Sequence, residues 1–297
     1  MLMEPKPLSL AYKDLIKAIH ASSKTATSVT PENVYQEGDR DIRGMFDAMT
    51  SDLLSPGSRI NGMENLSLLL KKAKEGAACI LFVEHYSNMD LPGVHYLLRR
   101  SGPEGVEIAD AIVAIAGRKL NEENPAVAAF ASAFTRIVLC PSRYHYTVDG
   151  ANNERLRVIN INRAAMKKLN EVKKQGKIIL VFPAGTRFRP WDPSSKRGVR
   201  EIDSYIKSFD YFCPVAVNGL VLDVRDGDML EDCVMNDVLH YTAGPVLSCS
   251  DFRASAKKKA LESGAEDVKQ AIVDDLMRVL DQIHEKAEEP RRRLLST

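Results

Sequence analysis

The stretch that decides the fold is ACILFVEHYSNMDLP, residues 78–92. It begins with an apolar run typical of a buried strand and ends with signals for a helix that starts near Leu91 and Pro92. Helical segments separate further runs of the same kind: AIVAIAG at 111–117, RIVLCP at 136–141, KIILVFP at 177–183 and YFCPVAV at 211–217. This alternation predicts an α/β fold with a mixed, largely parallel sheet flanked by helices.

Apolar residues repeated at helical spacing predict the main helices. One is predicted over 153–174 and another over 266–289, ending before Pro290. The first 75 residues have helical and loop character, with a helix start predicted at Thr30, where a proline follows a capping threonine. We therefore expect a small helical N-terminal domain over residues 1–75 and an α/β domain over residues 76–297.

Bulk properties exclude several classes of protein. A formal net charge of +1 over 297 residues gives no global electrostatic footprint for nucleic acid. Five cysteines form no CxxC pair, which argues against a disulfide framework and a zinc site. The charged N-terminus and the lack of a long apolar run predict a cytoplasmic protein that meets any lipid from outside, as a peripheral membrane contact.

His85 and Asp90 follow the first strand within one loop. If Asp90 turns back on His85, its carboxylate accepts one imidazole N–H and leaves the other nitrogen as a base. The structural alternative is that Asp90 only caps the next helix and His85 is a satisfied histidine. Glu84 is given no catalytic role, because strand alternation aims it at the opposite face. The histidines outside the candidate site are expected to be structural or solvated: His20, His95, His240 and His284.

A second polar loop follows the strand at 177–183. Gly185 allows a sharp turn in which backbone N–H groups and the Thr186 hydroxyl face an anion, and Arg187 and Arg189 suit capture of a phosphate. The alternative is a surface turn whose arginines pair with acids such as Asp192 or Glu201. A further basic pair, Arg143 and His145, follows the strand at 136–141 and is predicted to converge on the same crevice.

Two other segments suggest contacts with a ligand or a partner. PAVAAFASAF, residues 125–134, is predicted to be a buried helix, with the lining of an apolar groove or contact with a bilayer as alternatives. A run of lysines could dock an acidic protein, although such runs are usually solvated helix faces. Its members are Lys167, Lys168, Lys173, Lys174 and Lys177.

The chain resembles the glycerophospholipid acyltransferase family, whose hallmark is a histidine, four residues and an aspartate, matched by His85 and Asp90. The family's Phe-Pro-Glu-Gly-Thr-Arg motif is matched at 182–187, except that Ala184 replaces the glutamate. Within the family it is most similar to soluble, plastid-type glycerol-3-phosphate acyltransferases. These enzymes have Arg-x-Arg-Pro at the phosphate motif, matched here by Arg187, Arg189 and Pro190. They also have a Lys-His pair, of which His145 matches the histidine.

The resemblance implies acyl transfer from a thioester of acyl carrier protein or coenzyme A to the sn-1 hydroxyl of glycerol 3-phosphate. His85 would be the base, and Arg143, His145, Arg187 and Arg189 would bind the phosphate. No metal or other cofactor is expected, because the acyl thioester is a co-substrate. The alternatives are a 1-acylglycerol-3-phosphate acyltransferase, which forms phosphatidate, and a non-catalytic module that binds phosphate or a carrier. A hydrolase is disfavoured because no GxSxG nucleophile motif occurs.

Overall fold

A computed structural model describes residues 5–23, 28–122, 125–141 and 152–296. The described strands are β1 (Tyr35–Gln36), β2 (Arg59–Asn61), β3 (Cys79–Val83), β4 (Ile112–Gly117), β5 (Arg136–Leu139), β6 (Ile178–Val181), β7 (Tyr211–Asn218), β8 (Leu222–Asp223), β9 (Cys233–Val234), β10 (His240–Ala243) and β11 (Leu247–Ser248). The described α-helices are α1 (Leu8–Ala11), α2 (Lys13–Ser22), α3 (Arg40–Leu53), α4 (Met63–Lys74), α5 (Asp90–Arg100), α6 (Pro103–Ala111), α7 (Lys119–Glu122), α8 (Pro125–Ala131), α9 (Asn152–Val172), α10 (Ile202–Ser208), α11 (Cys249–Glu262) and α12 (Val268–Leu295).

The main sheet has the strand order β1-β5-β4-β6-β3-β7-β10-β2 within the described residues, with β11 paired to β7. Neighbouring strands from β5 to β7 along this order are parallel, whereas β1, β10 and β11 pair antiparallel with their partners β5 and β7. All five residues of β3 are buried, as expected for a strand with helices on both faces. The predicted mixed, largely parallel α/β sheet is confirmed.

The parallel direction of the central strands positions the candidate site. The carboxyl ends of β3, β6 and β7 lie at one edge of the sheet, so the loops after Val83, Val181 and Asn218 start close together. Two clusters of buried apolar side chains cover the two faces of the sheet. All five cysteines are buried free thiols.

Two local helix signals are overridden by other contacts. Residues 31–34 form turns and bends, and the Thr30 N–H donates to Asn33 Oδ1 at 2.7 Å, so the predicted helix start at Thr30 is wrong. The next helix, α3, begins after Asp39, whose carboxylate accepts the N–H groups of Asp41 and Ile42.

The last helix passes through Pro290 and ends at Leu295, so the predicted end before the proline is also wrong. Buried Arg291 holds the final turns in place. Its guanidinium donates to Val238 O at 2.7 Å and to Glu288 Oε1 at 2.8 Å, and it also pairs with Asp237. These contacts offset the hydrogen bond that a proline removes from a helix.

The first 75 residues are mostly helical, and two short strands from this part join the main sheet. β1 pairs with β5, and β2 pairs with β10. We propose that the change near residue 75 separates a helical N-terminal segment from the α/β core, as the sequence pattern predicts. Within the described residues, no helix combines the length and the apolar character that crossing a membrane requires.

Candidate active site

The loop after β3 brings His85 and Asp90 into direct contact. His85 Nδ1 lies 2.8 Å from Asp90 Oδ2, and the same oxygen accepts the N–H groups of Tyr86 at 2.6 Å and Ser87 at 2.8 Å. The Asp90 side chain is only 3% exposed. The carboxylate therefore turns back on its own loop instead of serving only as a helix cap, and it selects the tautomer with a proton on His85 Nδ1.

Packing holds the His85 ring in one orientation. The ring stacks on Phe182 with 3.9 Å between centroids and 15° between planes. The side chain is 16% exposed, and Nε2 has no hydrogen-bond partner among the described residues. An imidazole fixed on one side by a carboxylate, with its other nitrogen open, can accept a proton from a hydroxyl.

The loop after β6 is fastened to the His85 loop. Gly185 has φ +65° and its N–H donates to Phe182 O at 2.9 Å, which closes a tight turn at the end of the strand. Farther along, the Phe188 N–H donates to His85 O at 2.8 Å. The predicted base and the predicted phosphate loop are thus joined through the backbone.

Arg187 forms an ion pair with Asp232, whose side chain is fully buried, and its own side chain is 13% exposed. Asn88 of the His85 loop also approaches Asp232, with 3.5 Å between Nδ2 and Oδ2. Burial raises the pKa of Asp232, against the opposing effects of the Arg225 N–H and the Arg187 charge. Both loops therefore meet on one carboxylate that the sequence did not suggest.

Arg189 differs from Arg187 in its surroundings. Its side chain is exposed, its N–H donates to Ser195 Oγ at 2.8 Å, and its Nη2 lies 3.5 Å from Thr186 Oγ1. No carboxylate in the described part of the chain forms an ion pair with its guanidinium. This cation is open to an anionic ligand. Arg143 and His145 lie outside the described residues.

An apolar cavity of about 140 Å³ adjoins His85. Its walls come mainly from β4, α5, α8 and the loop before β9, and Phe130 and Ala131 of α8 line it. Val127, Ala128 and Ala129 are buried, so α8 is both a packed helix and part of the cavity wall. Arg136 borders the cavity and donates to Ala131 O at 2.6 Å, and burial lowers its pKa to about 10.

The distance along the sheet from His85 to Arg136 follows from the strand register. Arg136 is level with Ala114, which is level with Leu180 and, through it, with Leu81. Leu81 precedes His85 by four residues, so Arg136 lies about 13 Å along the strand direction from the imidazole, at about 3.3 Å per residue. The cavity is lined mostly by apolar side chains and reaches His85.

A second imidazole–carboxylate pair lies beside the first. His284 Nδ1 is 2.8 Å from Glu84 Oε2, and the Glu84 side chain is 2% exposed. The sequence predicted that His284 is structural or solvated and did not indicate this partner, because the pair links α12 to the end of β3 across 200 positions. His284 also borders a separate cavity of about 360 Å³ that Tyr86 and Phe188 line.

Comparisons with known proteins identify a family and one similar crystal structure. A family model described as Acyltransferase matches residues 59–218, more than half of the chain. The crystal structure of the 1-acyl-sn-glycerophosphate (LPA) acyltransferase PlsC from Thermotoga maritima is similar at 15% identity, over 92% of this chain and 88% of that chain, with a TM-score of 0.42. No curated protein matches the sequence.

Proposed function

Because the chain belongs to the acyltransferase family, we propose that it transfers a fatty acyl group from a thioester to the sn-1 hydroxyl of glycerol 3-phosphate. The product would be 1-acylglycerol 3-phosphate, for phospholipid synthesis. The observation that carries this proposal is the 2.8 Å bond from the Phe188 N–H to His85 O, which places the open imidazole beside the arginine loop. A hydroxyl and a phosphate on one small molecule can then engage both loops.

In the proposed reaction, His85 Nε2 takes the proton of the acceptor hydroxyl as the oxygen attacks the thioester carbonyl. The carbon–oxygen bond forms and the carbon–sulfur bond breaks. The imidazolium then returns the proton to the leaving thiolate, so the enzyme ends unchanged. Asp90 stabilises the imidazolium through the bond to Nδ1, and no acyl-enzyme intermediate is needed.

The acceptor phosphate would bind at the guanidinium groups of Arg187 and Arg189, and Arg143 and His145 remain part of this proposal. Asp232 fixes Arg187 in place, and Arg189 supplies the cation open to solvent. The acyl chain of the donor would enter the cavity beside His85. Leu120, which is 39% exposed and lines that cavity, offers further apolar surface and favours 1-acylglycerol 3-phosphate as the second candidate acceptor.

The donor carrier is proposed to be acyl carrier protein or coenzyme A. Lys167 and Lys174 are exposed, as docking of an acidic carrier requires. Lys168, Lys173 and Lys177 instead contact Glu171, Ser208 O and Asp110 O within the chain. Contact with a membrane surface, and a cytoplasmic location, also remain proposals. Sedimentation with phosphatidylglycerol vesicles tests the membrane contact.

The deciding assay offers purified protein both thioesters, each with glycerol 3-phosphate and with its 1-acyl derivative. Ester formation on glycerol 3-phosphate is the expected result. Turnover with the 1-acyl derivative but not with glycerol 3-phosphate would identify 1-acylglycerol 3-phosphate as the acceptor. Hydrolysis without transfer, or no turnover in any combination, would refute acyl transfer to glycerophosphates and leave a non-catalytic module or a hydrolase.

Two substitutions separate the proposed roles. We expect His85→Ala to lower kcat by about 100- to 10,000-fold, because a general base is lost. Arg187→Ala should chiefly raise KM for the phosphate acceptor, by roughly 10- to 150-fold, because one charge-assisted contact is lost. Arg197→Ala is the control, since this arginine is 62% exposed and pairs with Asp274 outside the site.

Removal of Arg187 also leaves the buried Asp232 without its cation, so the melting temperature is measured in parallel. Arg187→Lys keeps a cation next to Asp232 but loses the planar fork that binds phosphate, so it too should raise KM. Full activity of His85→Ala would remove the base assignment. An unchanged acceptor KM in both folded Arg187 variants would remove the phosphate assignment.

A further inference from the structure

Glu84 is a buried carboxylate with a complete set of donors. Its Oε2 accepts the Val217 N–H at 2.9 Å and the His284 imidazole at 2.8 Å, and its Oε1 accepts the Tyr86 phenol at 3.2 Å. A carboxylate that is 2% exposed is stable only if such partners are present.

Glu84 is linked through Tyr86 to Asp90, the carboxylate partner of His85. Tyr86 bonds to Glu84 through its phenol and donates its backbone N–H to Asp90 Oδ2 at 2.6 Å. Burial, followed by the Glu84 charge, raises the pKa of Tyr86, so the phenol remains a donor. A shift of Glu84 would therefore move the residue that binds the carboxylate partner of His85.

The same cluster touches the arginine loop. The Tyr86 ring lies edge-on to Phe188 with 5.9 Å between centroids, and the Phe188 N–H is the group that bonds to His85 O. The His284 ring lies 5.6 Å from the Tyr86 ring. Glu84, Tyr86, His284 and Phe188, here called the rear cluster, thus connect the base loop, the arginine loop and α12.

Helix α12 gives the rear cluster a firm support. Asn218, at the end of β7, donates to His284 O at 3.0 Å and to Glu288 Oε2 at 2.9 Å. The helix is therefore bonded to β7 at His284 itself and one turn farther along, at Glu288. A cluster held by a sheet strand and a long helix resists small displacements of the two loops in front of it.

We propose that His284 and Glu84 are positioning residues, which act through Tyr86 and Phe188 to set the separation between His85 and Arg187. The role rests on the proposed acyl transfer to a phosphate-bearing acceptor. If the two loops lie too close together or too far apart, the acceptor can place its hydroxyl at His85 or its phosphate at Arg187, but not both. A misplacement of about 1 Å costs up to about 100-fold in rate.

The test uses His284→Leu, which removes the donor, and His284→Asn, whose amide can replace Nδ1 as a donor to Glu84. The matched control is Arg253→Leu. Arg253 donates to Asp203 Oδ1 at 2.8 Å, and Asp203 is a carboxylate with 2% side-chain exposure in the contact between α10 and α11. Both leucine variants leave one buried carboxylate without its cationic or imidazole partner, so both should lower the melting temperature.

Only His284→Leu should affect catalysis well below its melting temperature. We expect kcat/KM for the acceptor that supports turnover to fall about 10- to 100-fold, and His284→Asn to recover most of that loss. Arg253→Leu should stay within about twofold of the parent. Hydrogen exchange gives a readout independent of activity: residues 182–190 should lose protection in His284→Leu and keep it in Arg253→Leu.

A purely structural role predicts a different result. If His284→Leu and Arg253→Leu have the same kcat/KM and the same exchange at 182–190, the positioning role is refuted. If His284→Leu does not fold, Tyr86→Phe takes its place, because it removes the phenol bond to Glu84 and keeps the ring against Phe188. Unchanged kcat/KM and unchanged exchange at 182–190 in that variant refute the role equally. If the parent protein turns over neither acceptor with either thioester, the proposed function itself fails, which is a separate outcome.

Discussion

Replacement of Asp90 by asparagine separates the charge of this residue from its shape. In the structure, Oδ2 accepts three N–H groups, from His85, Tyr86 and Ser87, and Oδ1 lies 3.2 Å from Ser87 Oγ. An asparagine oxygen in the place of Oδ2 can accept the same three bonds, and its amide can donate to Ser87 Oγ. The loop should therefore keep its conformation while it loses a negative charge.

The expected magnitudes follow from these contacts. A hydrogen bond to a charged group contributes about 1.5–3 kcal/mol and a neutral one about 0.5–1.5, so three weakened bonds lower the free energy of unfolding by about 3–4.5 kcal/mol. The kcat should also fall, by about 100- to 10,000-fold, because the imidazolium that His85 forms has lost its counter-charge. Asp90→Ala leaves the two backbone N–H groups unpaired as well, at about 1–3 kcal/mol each.

The assay measures kcat with saturating thioester and acceptor, together with urea unfolding of each variant. Ser87→Ala is the control, since it removes one bond to Asp90 and keeps the carboxylate. We expect the order of stability parent, Asp90→Asn, Asp90→Ala, with both Asp90 variants nearly inactive and Ser87→Ala active. An Asp90→Asn variant with more than half of the parent kcat would refute the proposed function of the carboxylate.

Two further predictions concern the cavity and the buried histidine. Ala114→Leu fills the cavity level with Arg136, which is about 13 Å from His85 measured along the strand direction. It should lower kcat/KM for long acyl donors by about fourfold for each excluded methylene, at about 0.8 kcal/mol each, while short donors are unaffected. Equal effects on all chain lengths would contradict an acyl role for the cavity. Burial, reinforced by the charges of Arg43 and Arg99, lowers the pKa of His95 from 6.5 to about 3. As the pH falls below 6.5, His95 therefore takes up a proton in the unfolded chain but not in the folded one, and the free energy of unfolding decreases. His95→Leu should therefore lose about 2–3 kcal/mol less than the parent between pH 7 and 4.5 in urea unfolding, and an identical loss in both proteins would contradict the burial argument.

The sequence by itself determined the central sheet and the placement of its loops. Strands buried on both faces must be apolar throughout, so the runs at 78–83, 177–183 and 211–217 coincide with β3, β6 and β7 to within a residue or two. His85 and Asp90 lie five positions apart in one strand–helix loop, so the sequence could predict their contact as one of two local arrangements, the other being a simple helix cap.

Only the tertiary structure decided which side chains support those loops. Asp232 reaches Arg187 from 45 positions away, and His284 reaches Glu84 from 200 positions away. Helical and strand periodicity reports which face of an element is buried, but it carries no information about which distant residue covers that face. Contacts with distant residues also extended α12 beyond Pro290, since the buried guanidinium of Arg291 has partners that no local pattern shows.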